Sequence, residues 1–571
     1  MKITNITIEN YKSIKKMVFR PNSGLNAFIG ENSVGKSNIF DGINWLIGST
    51  WPSFSSTQTE DHWNGDINNK IKITLEYDDE FVLTLDESLD KYQFSITKDG
   101  SFGNNTDRSN HSSAYLGIDR EIKDYLPSNR WSLIGRILQQ INSQFEKEDI
   151  VVNDENGERV TKSKKDVLRS SLEKIRDKIL FSVGRSEGNR QKGTMDQFIE
   201  ILQKESAKQL NREESSFSID LSLYDPWNFY RTLQLLVKEN DMDIQFQASN
   251  LGMGVQASIT IAILKAYAEL NLPNKAPIFI DEPELFLHPQ AQRNFYNILR
   301  EMTQDIIDEN GTTIKEGLQI FYTTHSPNFL RTDKFDEIFL IRKNKEKGTF
   351  QKAASITSFV TDLKIRKNIE STPDEMYLYF KNVYENTGDS QKANEGFFAK
   401  KIILVEGQSE SLILPYFFEL VGFDYIKEGI SIVRCGCKNE IDRFFRLYNE
   451  FGIPCYLLFD GDKQNEGTDD EDNTKNENGA ILELFGIADK KWLDGSINDR
   501  FLGFETKLED NLNFSVIGNN KSVRLFQQVK QNIITKEDLP SWVSGIVEKI
   551  KNLKEPLESV LKTSSEEDPF R

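Results

Sequence analysis

Three cysteines, Cys435, Cys437 and Cys455, are all that a chain of 571 residues contains. Three thiols make neither a disulfide framework nor a four-cysteine zinc ribbon, and they read as free thiols of a reduced compartment. Long apolar runs are also missing, since none approaches the roughly 18 residues needed to cross a bilayer. The opening MKITNITIENYKSIKK reads as strand and loop without the apolar stretch of a secretory signal. The expectation is a cytoplasmic protein with no membrane contact. Basic residues fall short of acidic ones, 71 against 89, giving a net charge of −18. That balance counts against a uniformly basic nucleic-acid binder. It leaves room for a local basic groove, because acids clustered to hold metal ions depress the total.

What is present is an ordinary globular composition, 37% hydrophobic and 28% charged, at a length suited to roughly three or four folded units. Ile3, Ile6 and Ile8, then residues 17–19 and 25–29, predict three strands, the last running through a glycine loop into an apolar helix over 39–47. That loop, Gly30-Glu31-Asn32-Ser33-Val34-Gly35-Lys36-Ser37, satisfies G-x-x-x-x-G-K-S. Gly30 and Gly35 let backbone N–H groups wrap phosphates, Asn32 is a further candidate contact on the loop, Lys36 reaches the β/γ oxygens, and Ser37 ligates Mg²⁺. Residues 277–283, PIFIDEP, form an apolar strand ending in two acids. Asp281 is the expected Mg²⁺ partner and Glu282 the residue that orients the attacking water.

Ser249 to Gln256 (SNLGMGVQ) resembles the signature loop of ABC-type ATPases, whose small residues meet the γ-phosphate held by a partner subunit. Gly252, Gly254 and Gln256 are its candidate contacts, and the motif implies a dimer. His325, in Thr323-Thr324-His325-Ser326-Pro327, resembles the switch histidine of the same class, and Glu284 and His288 resemble the segment that follows the Asp-Glu strand in SMC-like ATPases. Asp61-His62 lies where this class often keeps a nucleotide-sensing loop, although a solvated loop is the simpler reading.

A second constellation lies further on. Ile402-Ile403-Leu404-Val405 ends in Glu406-Gly407, with Glu410 four residues after Glu406, and residues 455–459 end in Asp460-Gly461-Asp462. Parallel strands deliver their C-terminal residues to one edge, so these hard carboxylates would converge on Mg²⁺ or Mn²⁺. The combination resembles the Toprim domain of topoisomerases, primases and certain nucleases. A two-metal phosphodiester site needs further acids and a cation. Glu509 is the candidate ligand with Asp510 second, and Lys521 the candidate cation with Lys530 competing.

The expected fold is α/β: an ABC-type P-loop ATPase split by a mainly helical insertion, followed by a Toprim α/β domain with a parallel sheet. The first ATPase part is read over 1–129 and the insertion over 130–215, a lid or dimerisation module. The second ATPase part is read over 216–362, a polar helical linker over 363–398 and the Toprim domain over 399–571. Within these, strands are expected at 71–77, 81–85 and 217–223. A helix carrying Leu133, Ile134, Ile137, Leu138 and Ile141 is expected, and a hairpin-like segment at 153–157. A long buried helix at 255–272, a central parallel strand at 276–280 and a last ATPase strand at 318–322 follow. Residues 99–113 read as a surface loop and 463–478 as a mobile one.

With its motif order, the chain resembles the OLD (overcoming lysogenization defect) family of nucleases. The resemblance implies a homodimer or homotetramer that binds ATP and uses Mg²⁺ or Mn²⁺ to nick or degrade DNA in bacterial antiphage defence. Members occur alone, beside a UvrD-like helicase in Gabija-like systems, or beside a retron reverse transcriptase with its msDNA. The competing reading is an ATP-gated DNA-binding or repair scaffold of RecF/SMC type with an inactive Toprim domain, against which the acids at every expected strand end argue. Topoisomerase and primase readings lack a tyrosine-bearing cleavage domain and a zinc ribbon.

Overall fold

The computed structural model describes residues 2–48, 57–88, 94–97, 111, 113–117, 145–153, 157–179, 252–269, 276–386, 390–487, 491–516, 520–558 and 560–561, with short stretches between 184 and 247. The chain divides into two compact units, Met1–Ser113 with Lys275–Arg571, and Ala114–Asn274.

In the first unit the three opening strands form as expected: β1 (Ile3–Tyr11), β2 (Ile14–Phe19) and β3 (Leu25–Ile29), followed by α1 (Lys36–Ile47). β4 (Lys72–Tyr77), β5 (Val82–Asp86) and β6 (Phe94–Thr97) extend an antiparallel wing from β1. Alternation in β4 buries Ile73, Leu75 and Tyr77 on one face, the period-2 signature of a half-covered sheet. β7 (Ile278–Ile280) precedes α2 (Pro289–Met302) and β8 (Ile320–Thr323). From sequence β8 is expected to be the last strand of this sheet, but β9 (Ile338–Asn344) and β10 (Gly348–Lys352) follow it. β9 pairs parallel with β3, and β10 returns antiparallel to reach β2, so the two wings become one sheet.

Across the first unit the order is β6–β5–β4–β1–β2–β10–β9–β3–β8–β7. β3, β7, β8 and β9 run parallel and are buried almost throughout. Phe279 stacks on Phe321 at 4.6 Å between centroids and Phe28 on Phe339 at 5.2 Å, with Phe40 of α1 edge-on to Phe28. Each such ring taken out of water contributes about 1.5–3 kcal/mol.

The segment read as a linker is helical and packed. α3 (Ile356–Lys367), α4 (Pro373–Asn386) and α5 (Ser390–Gly396) follow β10, and Phe335, Phe359 and Phe380 form a ring cluster with centroids 4.8–5.2 Å apart. The Toprim region then contains β11 (Lys401–Val405), α6 (Gln408–Leu420), β12 (Ile430–Arg434), α7 (Lys438–Glu450), β13 (Cys455–Asp460), α8 (Glu471–Glu483), β14 (Phe501–Phe504), α9 (Lys521–Asn532) and α10 (Ser541–Asn552). Its four strands are all parallel, in the order β12–β11–β13–β14. Phe417, Leu525, Val529 and Ile546 hold α6, α9 and α10 in one core.

Residues 463–478 are not the mobile loop that their polarity suggested. A short turn leads into α8, where Thr474 and Asn478 are buried and Lys475 pairs with Glu471 one turn back. Hydrogen bonds made by the Thr474 hydroxyl and the Asn478 amide nitrogen offset part of the cost of this burial, which composition alone does not register.

In the second unit Asp149–Asn153 pairs antiparallel with Arg159–Ser163, the expected hairpin, and Lys164–Ile179 is helical. Met253–Glu269 is the expected helix, but it is buried along one side only, at Gln256, Ala257, Thr260 and Leu264, while Val255 is exposed. The expected helix over 133–141 and strand over 217–223 lie outside the described residues, as do 99–110 and 112 of the expected surface loop. At that loop's far end His111 and Ser113 are buried, with His111 stacked on Phe81.

Candidate functional site

β3 delivers the phosphate loop, β7 the Asp-Glu pair and β8 the switch histidine to the same edge, because all three strands run parallel. Gly35 has φ +103°, and a Cβ there would stand 2.5 Å from both the Ser13 and Thr349 hydroxyls, so only glycine fits. Lys36 is buried and its Nζ donates to the carbonyls of Gly30 at 3.0 Å and Glu31 at 2.9 Å. Burial lowers its pKa, opposed by the charges of Glu282, Asp281 and Glu284. Asn32 on the loop and Ser37 in the first turn of α1 are exposed.

Thr323 organises the acids. Its hydroxyl hydrogen-bonds Asp281, and its carbonyl and hydroxyl oxygens accept from the Glu282 N–H at 3.1 and 3.0 Å. Glu284 fixes the switch loop: its carboxylate accepts from the His325 N–H at 2.6 Å and the Thr324 hydroxyl at 2.8 Å. His325 Nε2 lies 3.8 Å from Glu282. Burial and the Lys36 charge lower its pKa, favouring the neutral ring near pH 7.

His288 is the N-cap of α2, accepting from the Ala291 N–H at 3.3 Å. His62 is buried rather than solvated, held by Glu87 at 3.0 Å and the Gln58 carbonyl at 3.1 Å. Gly252, Gly254 and Gln256 belong to the second unit, where the Gly252 carbonyl accepts from the Val255 and Gln256 N–H groups at the start of the helix. Ser249, Asn250 and Leu251 lie outside the described residues.

At the Toprim edge, β11 and β13 bring their terminal acids together. Glu406 accepts from the Asp460 N–H at 3.3 Å, and Asp460 accepts from the Leu508 N–H at 3.0 Å. Glu410 turns back to accept from the Gly407 N–H at 3.1 Å, at the positive end of α6. Gly461 admits no side chain, since a Cβ would stand 2.2 Å from the Phe504 carbonyl. Burial, reinforced by Glu410, Glu406, Asp462 and Glu509, pushes Asp460 up to about 8. Burial, with Glu406 and Glu509 adding to it, pushes Glu410 up to about 7. These acids raise each other's cost of ionisation, and a divalent cation is the natural relief for such a donor set. Among the described residues no three acids already stand as a closed metal cage. Glu406 and Asp460 engage backbone N–H groups, and Asp462 engages Lys438 instead.

The late candidates sort by position. Glu509 is buried and pairs with Lys521 at 2.7 Å, while Asp510 is exposed. Lys530 points elsewhere, over the rings of Tyr416 at 5.5 Å and Phe526 at 5.1 Å. Sequence reasoning missed Lys438, 2.8 Å from Asp462, and Asn478, whose amide donates to the Gly461 carbonyl at 2.9 Å. Lys438 follows the end of β12 closely, so the rule that parallel strands deliver residues to one edge could have found it. Asn478, in a polar run, gave no signal.

A P-loop ATPase joined to a Toprim domain is the class that this fold and these two sites define. An AAA ATPase domain family matches residues 1–111 and 84–330, and the family described as "Overcoming lysogenization defect protein-like, TOPRIM domain" matches residues 397–462. The chain belongs to the AAA ATPase domain family, whose match runs over residues 1–330, and the Toprim domain behind it is of the overcoming lysogenization defect protein-like kind. It is 28% identical over 505 residues to the OLD nuclease of Thermus scotoductus, covering 83% of this chain and 85% of that protein. It is 22% identical over 509 residues to the Old nuclease of Escherichia phage P2, covering 81% and 77%. Endonuclease GajA of Bacillus cereus is 24% identical over 226 residues, 37% of this chain and 31% of that one. No helix among the described residues is long and apolar enough to cross a membrane.

Proposed function

We propose that this chain is a divalent-metal-dependent DNA endonuclease whose Toprim site cuts the phosphodiester backbone and whose ATPase site binds ATP and regulates cutting. The observation that carries this reading is the set of mutually repelling carboxyls, Glu410 and Glu509 buried and Glu406 and Asp460 half-buried, with Lys521 beside them. A purely structural site has no reason to concentrate negative charge this way. Glu406, Glu410, Asp460, Asp462 and Glu509 would hold Mg²⁺ or Mn²⁺. Bound there, the ions supply Lewis acidity toward the phosphodiester and lower the pKa of the attacking water. Lys521 offers a cation to the phosphate charge.

At the other site Lys36 and the N–H groups of the glycine loop take the phosphates, Ser37 and Asp281 the Mg²⁺, and Glu282 and His325 face the γ-phosphate position. Gly252, Gly254 and Gln256 would contact nucleotide held by a second copy, which makes the working form a homodimer or homotetramer. A cytoplasmic antiphage role, alone or with a helicase or reverse transcriptase partner, follows from the family resemblance. Plasmid nicking with Mg²⁺ or Mn²⁺ tests the core of the reading. Asp460→Ala should abolish cutting, and Lys36→Ala should change only its response to ATP. Undiminished cutting by Asp460→Ala would sink the site assignment.

A further inference from the structure

Lys438 opens α7, is 2% exposed, and places its Nζ 2.8 Å from Asp462 Oδ2. Lysine is seldom buried this deeply without a partner. The first turn of a helix is also the unfavourable end for a cation, since the peptide dipoles present positive charge there. Two local features put it here nonetheless. After β12 the Cys435 N–H donates to the Val405 carbonyl at 2.9 Å and the Gly436 N–H to the Glu406 carbonyl at 3.0 Å. The loop is thereby stitched to the end of β11, and α7 starts beside the acids.

Of those acids Asp462 is the one that the Lys438 ammonium meets directly. Asp462 has φ +51°, in the left-handed region that aspartate adopts more readily than most side chains. Lys438 holds its Oδ2, and the Gln464 amide holds its Oδ1 at 2.8 Å. Lys507 stands further out, 4.0 Å from Oδ1.

We infer that Lys438 is a positioning residue of the nuclease centre, a built-in counter-ion that orients Asp462 and competes there with the divalent cation. This rests on the nuclease reading above. A pair that merely stabilised the fold would change melting temperature and leave metal affinity alone. A competing counter-ion links the two in opposite senses, because removing it frees Asp462 for metal while loosening its orientation.

The test uses the full-length protein and three variants: Lys438→Met, Lys438→Arg and Lys438→Met combined with Asp462→Asn. Melting temperature is followed as Mg²⁺ or Mn²⁺ is titrated, and plasmid nicking is measured at saturating metal. Lys438→Met should reach its metal-induced melting shift at a several-fold lower Mg²⁺ concentration. Its cutting should fall about 10- to 100-fold, the usual cost of losing a group that orients a metal ligand. Lys438→Arg should recover most of the cutting. The double variant should regain the metal-free melting temperature that Lys438→Met loses.

Wild-type cutting by a folded Lys438→Met overturns the inference. So does an unmoved titration midpoint with cutting and melting temperature falling together. If Lys438→Met fails to fold, Lys438→Gln, which keeps a donor without the charge, carries the same readouts. The melting titration needs no cleavage, so a wild-type protein that binds metal without cutting sinks the nuclease reading and leaves Lys438 to be decided by the titration.

Discussion

The amide oxygen of Asn394 accepts two hydrogen bonds from Thr332, from its N–H and its hydroxyl, each at 3.0 Å. The Asn394 amide nitrogen donates to the carbonyls of Pro327 at 3.0 Å and Leu330 at 2.7 Å. One buried side chain in α5 thus grips the segment that follows His325. Beside it the Ala393 carbonyl accepts from Tyr448 of α7 at 2.6 Å, and α7 begins at Lys438. Replacing Asn394 with alanine leaves several buried backbone groups unpaired, at about 1–3 kcal/mol each. The expected outcome is a lower melting temperature, unchanged ATP affinity and a blunted effect of ATP on cutting. A folded Asn394→Ala protein whose cutting responds to ATP like wild type would refute the coupling.

Gly35→Ala should abolish nucleotide binding, because its Cβ would collide with the Ser13 and Thr349 hydroxyls and the φ of +103° disfavours any side chain. Titration with a fluorescent ATP analogue reads this directly. Retained affinity would mean that the loop adapts.

Lys521→Ala should reduce cutting by about 10²-fold, as expected when one cation facing developing phosphate charge is lost. Lys530→Ala should leave it within a few-fold of wild type, since Lys530 lies over Tyr416 and Phe526. Reversal of that ranking in a nicking time course would reassign the cation.

The raised acids make a pH prediction. Asp460 and Glu410 have folded pKa values of about 8 and about 7, above their ordinary 3.8 and 4.5. The native state therefore binds more protons than the unfolded chain between these limits, and metal-free stability falls as pH rises from about 4 to about 8. Added Mg²⁺ should raise the melting temperature more at pH 8.5 than at pH 5.5. An equal rise at both would show that these carboxyls do not take up the ion.

Local signals carried much of the reading. The Gly30–Ser37 loop, the acids after β7, and Glu406 and Asp460 at their strand ends were legible because motif spacing and strand periodicity are properties of neighbouring residues. The polar run at 463–478 and His62 were misread, since hydrogen bonds to Gly461, Lys491 and Glu87 make burial tolerable and those partners are remote in the chain or invisible to composition.

Positive charge, outnumbered by negative charge along the chain, is where sequence and structure divide. The sequence by itself determined the two motif-bearing sheets and which carboxylates stand at their edges. Only the tertiary structure decided which cations serve them: Lys438 and Lys521 at the acids, Lys530 away among aromatic rings. A lysine's role depends on what its ammonium meets after the strands are ordered, and Coulomb attraction at about 3 Å is set by that meeting rather than by distance along the chain.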